Sequence, residues 1–252
     1  MNRTIAYITD IHLDENASFE KGINPRLNLR KILDDLEARG VEEVIFGGDI
    51  GEPSAYRSFF DSLKKFRLRI TPGNHDSKTA VRGFFETEEP WGVLEWYHAT
   101  EDDQFKYIFL DSSAGSLSPD QFSWLAREAA VEMPLVIFIH HPILPVDTAI
   151  DREYPLIGRE KVADLLQASG NPVTVFCGHY HMAHEQTRGN ITQLISPAAS
   201  YQLRKAEKVD VDTSVFGYRL ITFAGKDIRS ELVMFDTRQS MAVPPVEENG
   251  VM

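Results

Sequence analysis

Short apolar runs alternate along the chain with segments whose apolar residues recur every three or four positions. Residues 4–9 are continuously apolar in their middle, which is typical of a strand covered on both faces. After Asn24 and Pro25, leucine and isoleucine residues follow the spacing i, i+3, i+4, i+7 until Gly40, which predicts a capped helix. The alternation of these two patterns predicts an α/β fold.

The same patterns predict the remaining elements. Helices are expected at 56–63, 78–88, 119–129 and 162–169, and strands at 43–46, 68–70, 93–99, 104–111, 135–139, 173–177, 191–196, 215–223 and 229–235. The last three strands make the C-terminal part β-rich. Because no repeat or low-complexity linker interrupts the pattern, residues 1–241 are predicted to form one domain, and 242–252 a disordered tail.

The composition indicates which binding partners and which cellular compartment are expected for the protein. The formal net charge is −12, from 26 basic and 38 acidic side chains, which disfavours nucleic-acid polymers and anionic membranes. No stretch approaches the roughly 20 apolar residues of a membrane span, and the first apolar run is too short for a signal peptide. We therefore expect a cytoplasmic protein. The single cysteine, Cys177, lies in an apolar run and is interpreted as an inert core thiol.

Side chains that can bind metals follow five of the predicted strands. They are Asp10 and His12, then Asp49, then Asn74, His75 and Asp76, then His140 and His141, and finally His179 and His181. In open α/β sheets, ligands bind at the carboxyl ends of the strands, so we expect these side chains to converge. The glycines beside them, among them Gly73 and Gly178, permit close approach of backbone to a metal or phosphate.

The spacing and chemistry of these residues favour two metal ions. Asp10 and His12 are two residues apart, so in an extended segment both side chains leave one face, and His179 and His181 share that spacing. Carboxylate, amide and imidazole ligands without thiolate favour manganese, iron, zinc or cobalt over calcium. Seven candidate ligands exceed the four of a tetrahedral zinc site and suit two ions that share a carboxylate.

The motifs D-x-H, G-D, G-N-H-D, H-x-P and G-H-x-H, in that order over residues 5–181, resemble those of the calcineurin-like metallophosphoesterases. The resemblance implies a β-sandwich with mixed sheets flanked by helices. It also implies two metal ions, iron, manganese or zinc, and a set of residue roles. One ion would be held by Asp10, His12, Asp49 and His181, and the second by Asp49, Asn74, His140 and His179, with Asp49 bridging. His75 would donate a proton to the leaving oxygen, with Asp76 orienting its ring.

A site of this kind predicts hydrolysis of phosphate esters. Water between two cations loses its proton near neutral pH, and the hydroxide attacks phosphorus while the metals neutralise the growing charge. Weaker segments, Leu110-Asp111-Ser112 and residues 196–202, resemble class III cyclic-nucleotide phosphodiesterases. We therefore expect a phosphodiesterase for cyclic nucleotides or other small phosphodiesters.

Other functions stay open at this stage. A phosphomonoesterase or another small-molecule phosphatase of the family would use the same core, and a non-catalytic interaction scaffold would have lost ligands that are complete here. The expected partner is a small-molecule phosphate ester, with no nucleic-acid polymer and no membrane, and a homodimer is left open.

The segment 142–158 and the residue His141 each allow two interpretations. Residues 142–158 show no periodicity and directly follow a candidate ligand. They form either a lid, with Arg152 or Tyr154 reaching the phosphate or leaving group, or a surface loop without function. His141 either contacts substrate or has a packing role.

Overall fold

A computed structural model describes residues 2–84 and 96–237. Within these ranges the helices are α1 Asn16–Glu20, α2 Pro25–Ala38, α3 Tyr56–Leu63, α4 Lys78–Arg82, α5 Pro119–Glu128, α6 Ala149–Glu153 and α7 Arg159–Ala168. The strands are β1 Asn2–Ile8, β2 Glu43–Phe46, β3 Arg67–Ile70, β4 His98–Glu101, β5 Lys106–Phe109, β6 Leu135–Phe138, β7 Val173–Cys177, β8 His184–Arg188, β9 Ile191–Ile195, β10 Gln202–Leu203, β11 Val211–Asp212, β12 Val215–Ala224 and β13 Asp227–Asp236.

Helix α2 begins and ends where the sequence predicted. The side chain of Asn24 accepts a hydrogen bond from the backbone N–H of Leu27, and proline occupies the first helical position. The helix buries its predicted apolar stripe against the first sheet. Gly40, with φ of +68°, follows its end and takes a conformation that other residues resist.

The strands form two large mixed sheets and one small ribbon. The first sheet has the order β13-β12-β1-β2-β3, in which β1, β2 and β3 are parallel. The second has the order β4-β5-β6-β7-β9-β8, in which β5, β6, β7 and β9 are parallel. Strands β10 and β11 pair with each other. The predicted α/β fold with mixed sheets is therefore confirmed.

The two sheets pack face to face through an aromatic core. Tyr7 of the first sheet stacks on Phe138 of the second at a ring distance of 5.9 Å, and Phe138 stacks on Phe109 and Phe176. Helices α2 and α3 cover the outer face of the first sheet, and α5 and α7 cover that of the second. Both sheets are thus buried on two faces, which explains why the parallel strands read as continuous apolar runs.

The sequence pattern did not predict elements that are short or half-exposed, such as β8 and α6. Strand β8 lies at a sheet edge and has the sequence HEQTR, without an apolar face. Helix α6 lies within the segment interpreted as aperiodic, since one helical turn is too short to establish a period. The helix predicted at 78–88 ends at Arg82, and the strand predicted at 93–99 begins at His98. Residues 85–95 and the tail 242–252 lie outside the described ranges.

Cys177 is fully buried, as predicted, and burial raises the pKa of its thiol. Within residues 2–84 and 96–237, no helix has the length and apolarity needed to cross a bilayer.

Candidate metal centre

The loops that follow the parallel strands carry the predicted ligands to one edge of the sandwich. The loops after β1 and β2 supply Asp10, His12 and Asp49, and those after β6 and β7 supply the histidines. Two groups result, Asp10-His12-His181 and Asp49-His140-His179, and within each group ligand atoms lie within 4.8 Å of one another. All six residues are buried. For these six residues, the convergence expected from the strand order is confirmed.

Each of the four histidines has one ring nitrogen hydrogen-bonded to an oxygen that only accepts. The pairs are His12 Nδ1 with Glu15 Oε1 at 2.9 Å, His140 Nδ1 with the Gly47 carbonyl at 2.7 Å, His179 Nε2 with the Tyr154 carbonyl at 3.0 Å, and His181 Nδ1 with the Tyr201 carbonyl at 3.1 Å. The bonded nitrogen must therefore carry the hydrogen, which leaves the other nitrogen with a free lone pair. This is the pattern by which proteins orient histidines that bind metals.

The other ring nitrogens, which have the lone pairs when the rings are neutral, meet in the centre. His12 Nε2 and His181 Nε2 lie 3.0 Å apart, although neither has a hydrogen to donate when both rings are neutral. Among the described residues, His140 Nε2 is buried without any hydrogen-bond partner. Two nitrogens that each bind one ion at about 2.1 Å lie roughly 3.0–3.4 Å apart, for bond angles of roughly 90–110°. The donor set and its orphaned atoms therefore fit bound metal cations.

Asp49 lies between the two groups. Its Oδ2 atom is 3.6 Å from His12 Nε2 and 3.3 Å from His140 Nε2. Its other oxygen, Oδ1, accepts a hydrogen bond of 2.9 Å from the backbone N–H of His75. One oxygen is thus fixed by the protein, and the other faces both groups.

Asn74 lies at the rim rather than in the buried centre. It is exposed and lines a cavity together with His141 and His179. Its role as a ligand of the second ion stays a prediction.

The backbone of the ligand loops is not extended, which corrects the explanation given for the two-residue spacing. Asp10, His12, Asp49, His179 and His181 have φ between +48° and +67°, in the left-handed region. Such a conformation costs a residue other than glycine about 1–2 kcal/mol. The side chains therefore converge through strained turns that the surrounding structure holds in place, a feature typical of functional sites.

Two of the predicted glycines pack directly against the ligands. A Cβ atom on Gly73 would lie 2.1 Å from Asp49 Oδ1, and one on Gly178 would lie 2.4 Å from Asp10 Oδ2. The groups that lie against the backbone of these glycines are ligand carboxylates, whereas close approach to a metal or phosphate stays a prediction.

The charges of the centre are strongly coupled. Burial lowers the pKa of His140, but Asp49 and Asp10 outweigh it and raise the pKa to about 10. Burial would raise the pKa of Asp49, but His140 and His12 hold it well below its usual range. Without metal, His140 therefore carries a proton at neutral pH, and an ion that binds Nε2 must displace it.

The partner of the His75 ring is Glu15, and the predicted role of Asp76 is wrong. His75 Nδ1 lies 3.1 Å from Glu15 Oε1, the same oxygen that contacts His12. The carboxylate of Asp76 instead accepts hydrogen bonds of 2.8–2.9 Å from three backbone N–H groups, those of Asp49, Ile50 and Gly73. Asp76 thereby ties together the loops after β2 and β3.

Sequence reasoning also missed Ser112 as the partner of His141. Ser112 Oγ lies 2.9 Å from His141 Nδ1, and the His141 ring packs 4.0 Å from that of His179. The one signal for Glu15 was that its carboxylate lies three residues after His12. Ser112 stands in the segment Leu110-Asp111-Ser112, but nothing in the sequence indicated its contact with His141.

Comparisons with known proteins agree with this architecture. The family model described as calcineurin-like phosphoesterase matches residues 3–183. A probable cyclic nucleotide phosphodiesterase of Fibrobacter succinogenes is 26% identical over 79% of this chain and 80% of the relative. A probable glycerophosphodiester phosphodiesterase of Arcobacter nitrofigilis is 33% identical over 66% and 68%. The purple acid phosphatase PPD1 of yellow lupin is similar in fold, with a TM-score of 0.69, 13% identity, and coverage of 96% of this chain and 55% of that one.

The contact with Glu15 should set the pKa of His75. In the metal-free protein the hydrogen bond to Glu15, together with Asp49, raises that pKa to about 9. We expect Glu15→Gln to bring it back toward the ordinary value of about 6.5, as measured by a histidine NMR titration with the His75 signal assigned. Glu52→Gln, a nearby exposed carboxylate, is the matched control. An unchanged His75 pKa in Glu15→Gln would show that the contact is absent in solution.

Proposed function

The chain belongs to the calcineurin-like phosphoesterase family, and from this premise we propose that it is a di-metal phosphodiesterase acting on small organic phosphodiesters. The observation that carries the proposal is the set of four histidines around Asp49, each oriented by a hydrogen bond from one ring nitrogen to an oxygen, with the other nitrogen facing the centre. The relatives named above act, by their descriptions, on cyclic nucleotides and on glycerophosphodiesters. Both classes are phosphodiesters, which favours a diester over a monoester.

We assign the two ions to the two groups of ligands. The first is held by Asp10, His12, Asp49 and His181, and the second by Asp49, Asn74, His140 and His179. The position of Asp49 Oδ2 between the groups supports its role as the bridging carboxylate. Nitrogen and oxygen ligands without thiolate support manganese, iron or zinc.

When bound, the ions polarise the phosphate and lower the pKa of bound water. The chain's own residues supply the rest of the chemistry. His75 is half-exposed at the mouth of the centre, with its ring 4.8 Å from that of His12. Glu15 accepts a hydrogen bond from His75 Nδ1 and, by raising the pKa of the ring to about 9, favours its protonated form, so the Nε2 hydrogen is the proton that passes to the leaving oxygen.

Asp76 contributes without touching the substrate. By accepting hydrogen bonds from the backbone of Asp49 and Gly73, it fixes the loops that present Asp49 and His75. Asp49 in turn accepts from the backbone of His75, so the bridging carboxylate and the proton donor keep a constant separation.

A substrate panel tests the proposal. With manganese added, we expect turnover of bis(p-nitrophenyl) phosphate and of at least one diester among cAMP, cGMP, 2′,3′-cyclic nucleotides and glycerophosphodiesters. The monoester p-nitrophenyl phosphate should react at least about tenfold more slowly in kcat/KM. Asp49→Asn should abolish all of these activities, which assigns them to this centre. Turnover of monoesters alone would refute the phosphodiesterase assignment and leave the phosphomonoesterase alternative.

Removal of the proton donor should affect poor leaving groups most. His75→Ala should keep both metal ions but slow an alkyl ester by about 10²- to 10⁴-fold, because an alkoxide must be protonated as it leaves. The p-nitrophenyl ester should lose much less, since p-nitrophenolate leaves without a proton. His184→Ala, on strand β8, is the control histidine. Equal losses for both leaving groups would exclude the role of proton donor.

A further inference from the structure

A cavity of about 440 Å³ opens beside the second ligand group. Asn74, His141 and His179 line one side of it, and residues of the segment 153–157 line the other. His75 lies elsewhere, beside a separate cavity lined by Glu15 and Gly51. The leaving oxygen must approach His75, so the cavity beside His179 faces the part of the substrate that does not leave.

Two large apolar side chains line this cavity and are exposed to solvent. Tyr154 is 57% exposed and Ile157 is 72% exposed, and both are lining residues. Exposing such apolar surface to water is unfavourable. A neighbouring pair of exposed apolar side chains at the edge of an enzyme centre is typical of a surface that binds a ligand.

The segment that carries them, for which a lid and a surface loop were both left open, is anchored by hydrogen bonds to the second sheet and its loops. The Tyr154 carbonyl accepts from His179 Nε2 at 3.0 Å, and the Ile157 N–H donates to the Gly115 carbonyl at 2.8 Å. Just before it, buried Asp151 accepts from the Tyr180 hydroxyl and from Arg159. The backbone is therefore fixed, while the Tyr154 and Ile157 side chains remain exposed.

Of the two residues expected to reach the substrate, Tyr154 alone lines the cavity. Arg152 hydrogen-bonds to Asp147 at 3.0 Å and to the Glu207 carbonyl at 3.1 Å, away from the described lining residues.

A buried hydroxyl orients the polar side of the cavity. Ser112 Oγ accepts from the His141 backbone N–H at 3.2 Å, so its own hydrogen is available for His141 Nδ1 at 2.9 Å. With Nδ1 as the acceptor, Nε2 carries the hydrogen of the neutral ring. His141 thus offers a hydrogen-bond donor on a wall of the cavity.

The residues that line the cavity disfavour both an anionic substituent and a quaternary ammonium group on the substrate. Among the described residues that line it there is no lysine or arginine, and Glu153 is acidic, so a second phosphate or a carboxylate would be repelled. Recognition of a quaternary ammonium group uses a cage of several aromatic rings, and here Tyr154 is the single phenol or indole ring among those residues.

We propose that this cavity binds the ester substituent that stays on phosphorus, and that it takes an uncharged planar group, such as an aryl ring or a nucleobase, against Tyr154 and Ile157. The inference rests on the proposed phosphodiesterase function. It gives a physical reason for a preference for diesters, since a monoester leaves the apolar surface uncovered.

Three diesters with one common leaving group test the inference: methyl, phenyl and choline esters of p-nitrophenyl phosphate. We expect the wild-type kcat/KM for the phenyl ester to exceed that for the methyl ester about tenfold. Tyr154→Ala should lose about tenfold on the phenyl ester and less than about twofold on the methyl ester, whereas Tyr154→Phe should keep both. Ile157→Ala should act in the same direction, and Leu232→Ala, an exposed residue on β13, should change neither.

The contrary outcomes distinguish an error in the assignment of the cavity from an error in the proposed function. Equal losses on the methyl and phenyl esters in Tyr154→Ala, or no loss on either, would overturn the assignment of the cavity while the proposed function stands. A preference for the choline ester that Glu153→Gln removes would show a cation site and would also overturn it. A metal-loaded wild-type protein that cleaves none of the three esters would refute the proposed function itself.

Discussion

Two imidazole nitrogens, His12 Nε2 and His181 Nε2, face each other at 3.0 Å, and the rest of the site is arranged around that constraint. When both rings are neutral, two lone pairs oppose each other at this distance and repel unless a proton or a metal ion lies between them. Glu15 and the Tyr201 carbonyl accept hydrogen bonds from the Nδ1 atoms of the two rings and so turn both Nε2 atoms toward the centre. The protein thus orients the two rings of an ion-binding site through its backbone and one carboxylate.

Strand order, loop conformation and the positions of two glycines together bring the ligands into this arrangement. Parallel strands of two sheets end at one edge, so loops from both sheets meet there. The loops bring ligands together by adopting left-handed backbone conformations, and Gly73 and Gly178 make room for the carboxylates. The Tyr154 backbone orients His179 through its carbonyl, while the Tyr154 side chain lines the adjacent cavity. The same residue therefore connects the metal centre with the surface proposed to select the substrate.

Much of this could be predicted from the sequence, because apolar periodicity and strand order are local patterns. The helix that begins after Asn24, the buried parallel strands and the convergence of the ligands were all confirmed. The conformation of the ligand loops could not be predicted, since the spacing of Asp10 and His12 is also compatible with an extended segment. Glu15, and not Asp76, contacts the His75 ring because of how the loop after β1 folds over the loop after β3. That packing is a tertiary contact over 60 residues of chain, and local sequence carries no signal for it.

A calorimetric metal titration of the metal-free protein, run at neutral pH in two buffers with different ionisation enthalpies, tests most directly whether this edge of the sandwich binds two ions. We expect two ions for each chain and release of at least one proton, because Asp49 and Asp10 raise the pKa of His140 to about 10 before metal binds. As the pH rises toward that value the apparent affinity should increase, and above it the proton release should disappear. Binding of fewer than two ions would show that the two ligand groups do not form a di-metal centre, and binding without proton release at neutral pH would show that His140 is neutral before metal binds.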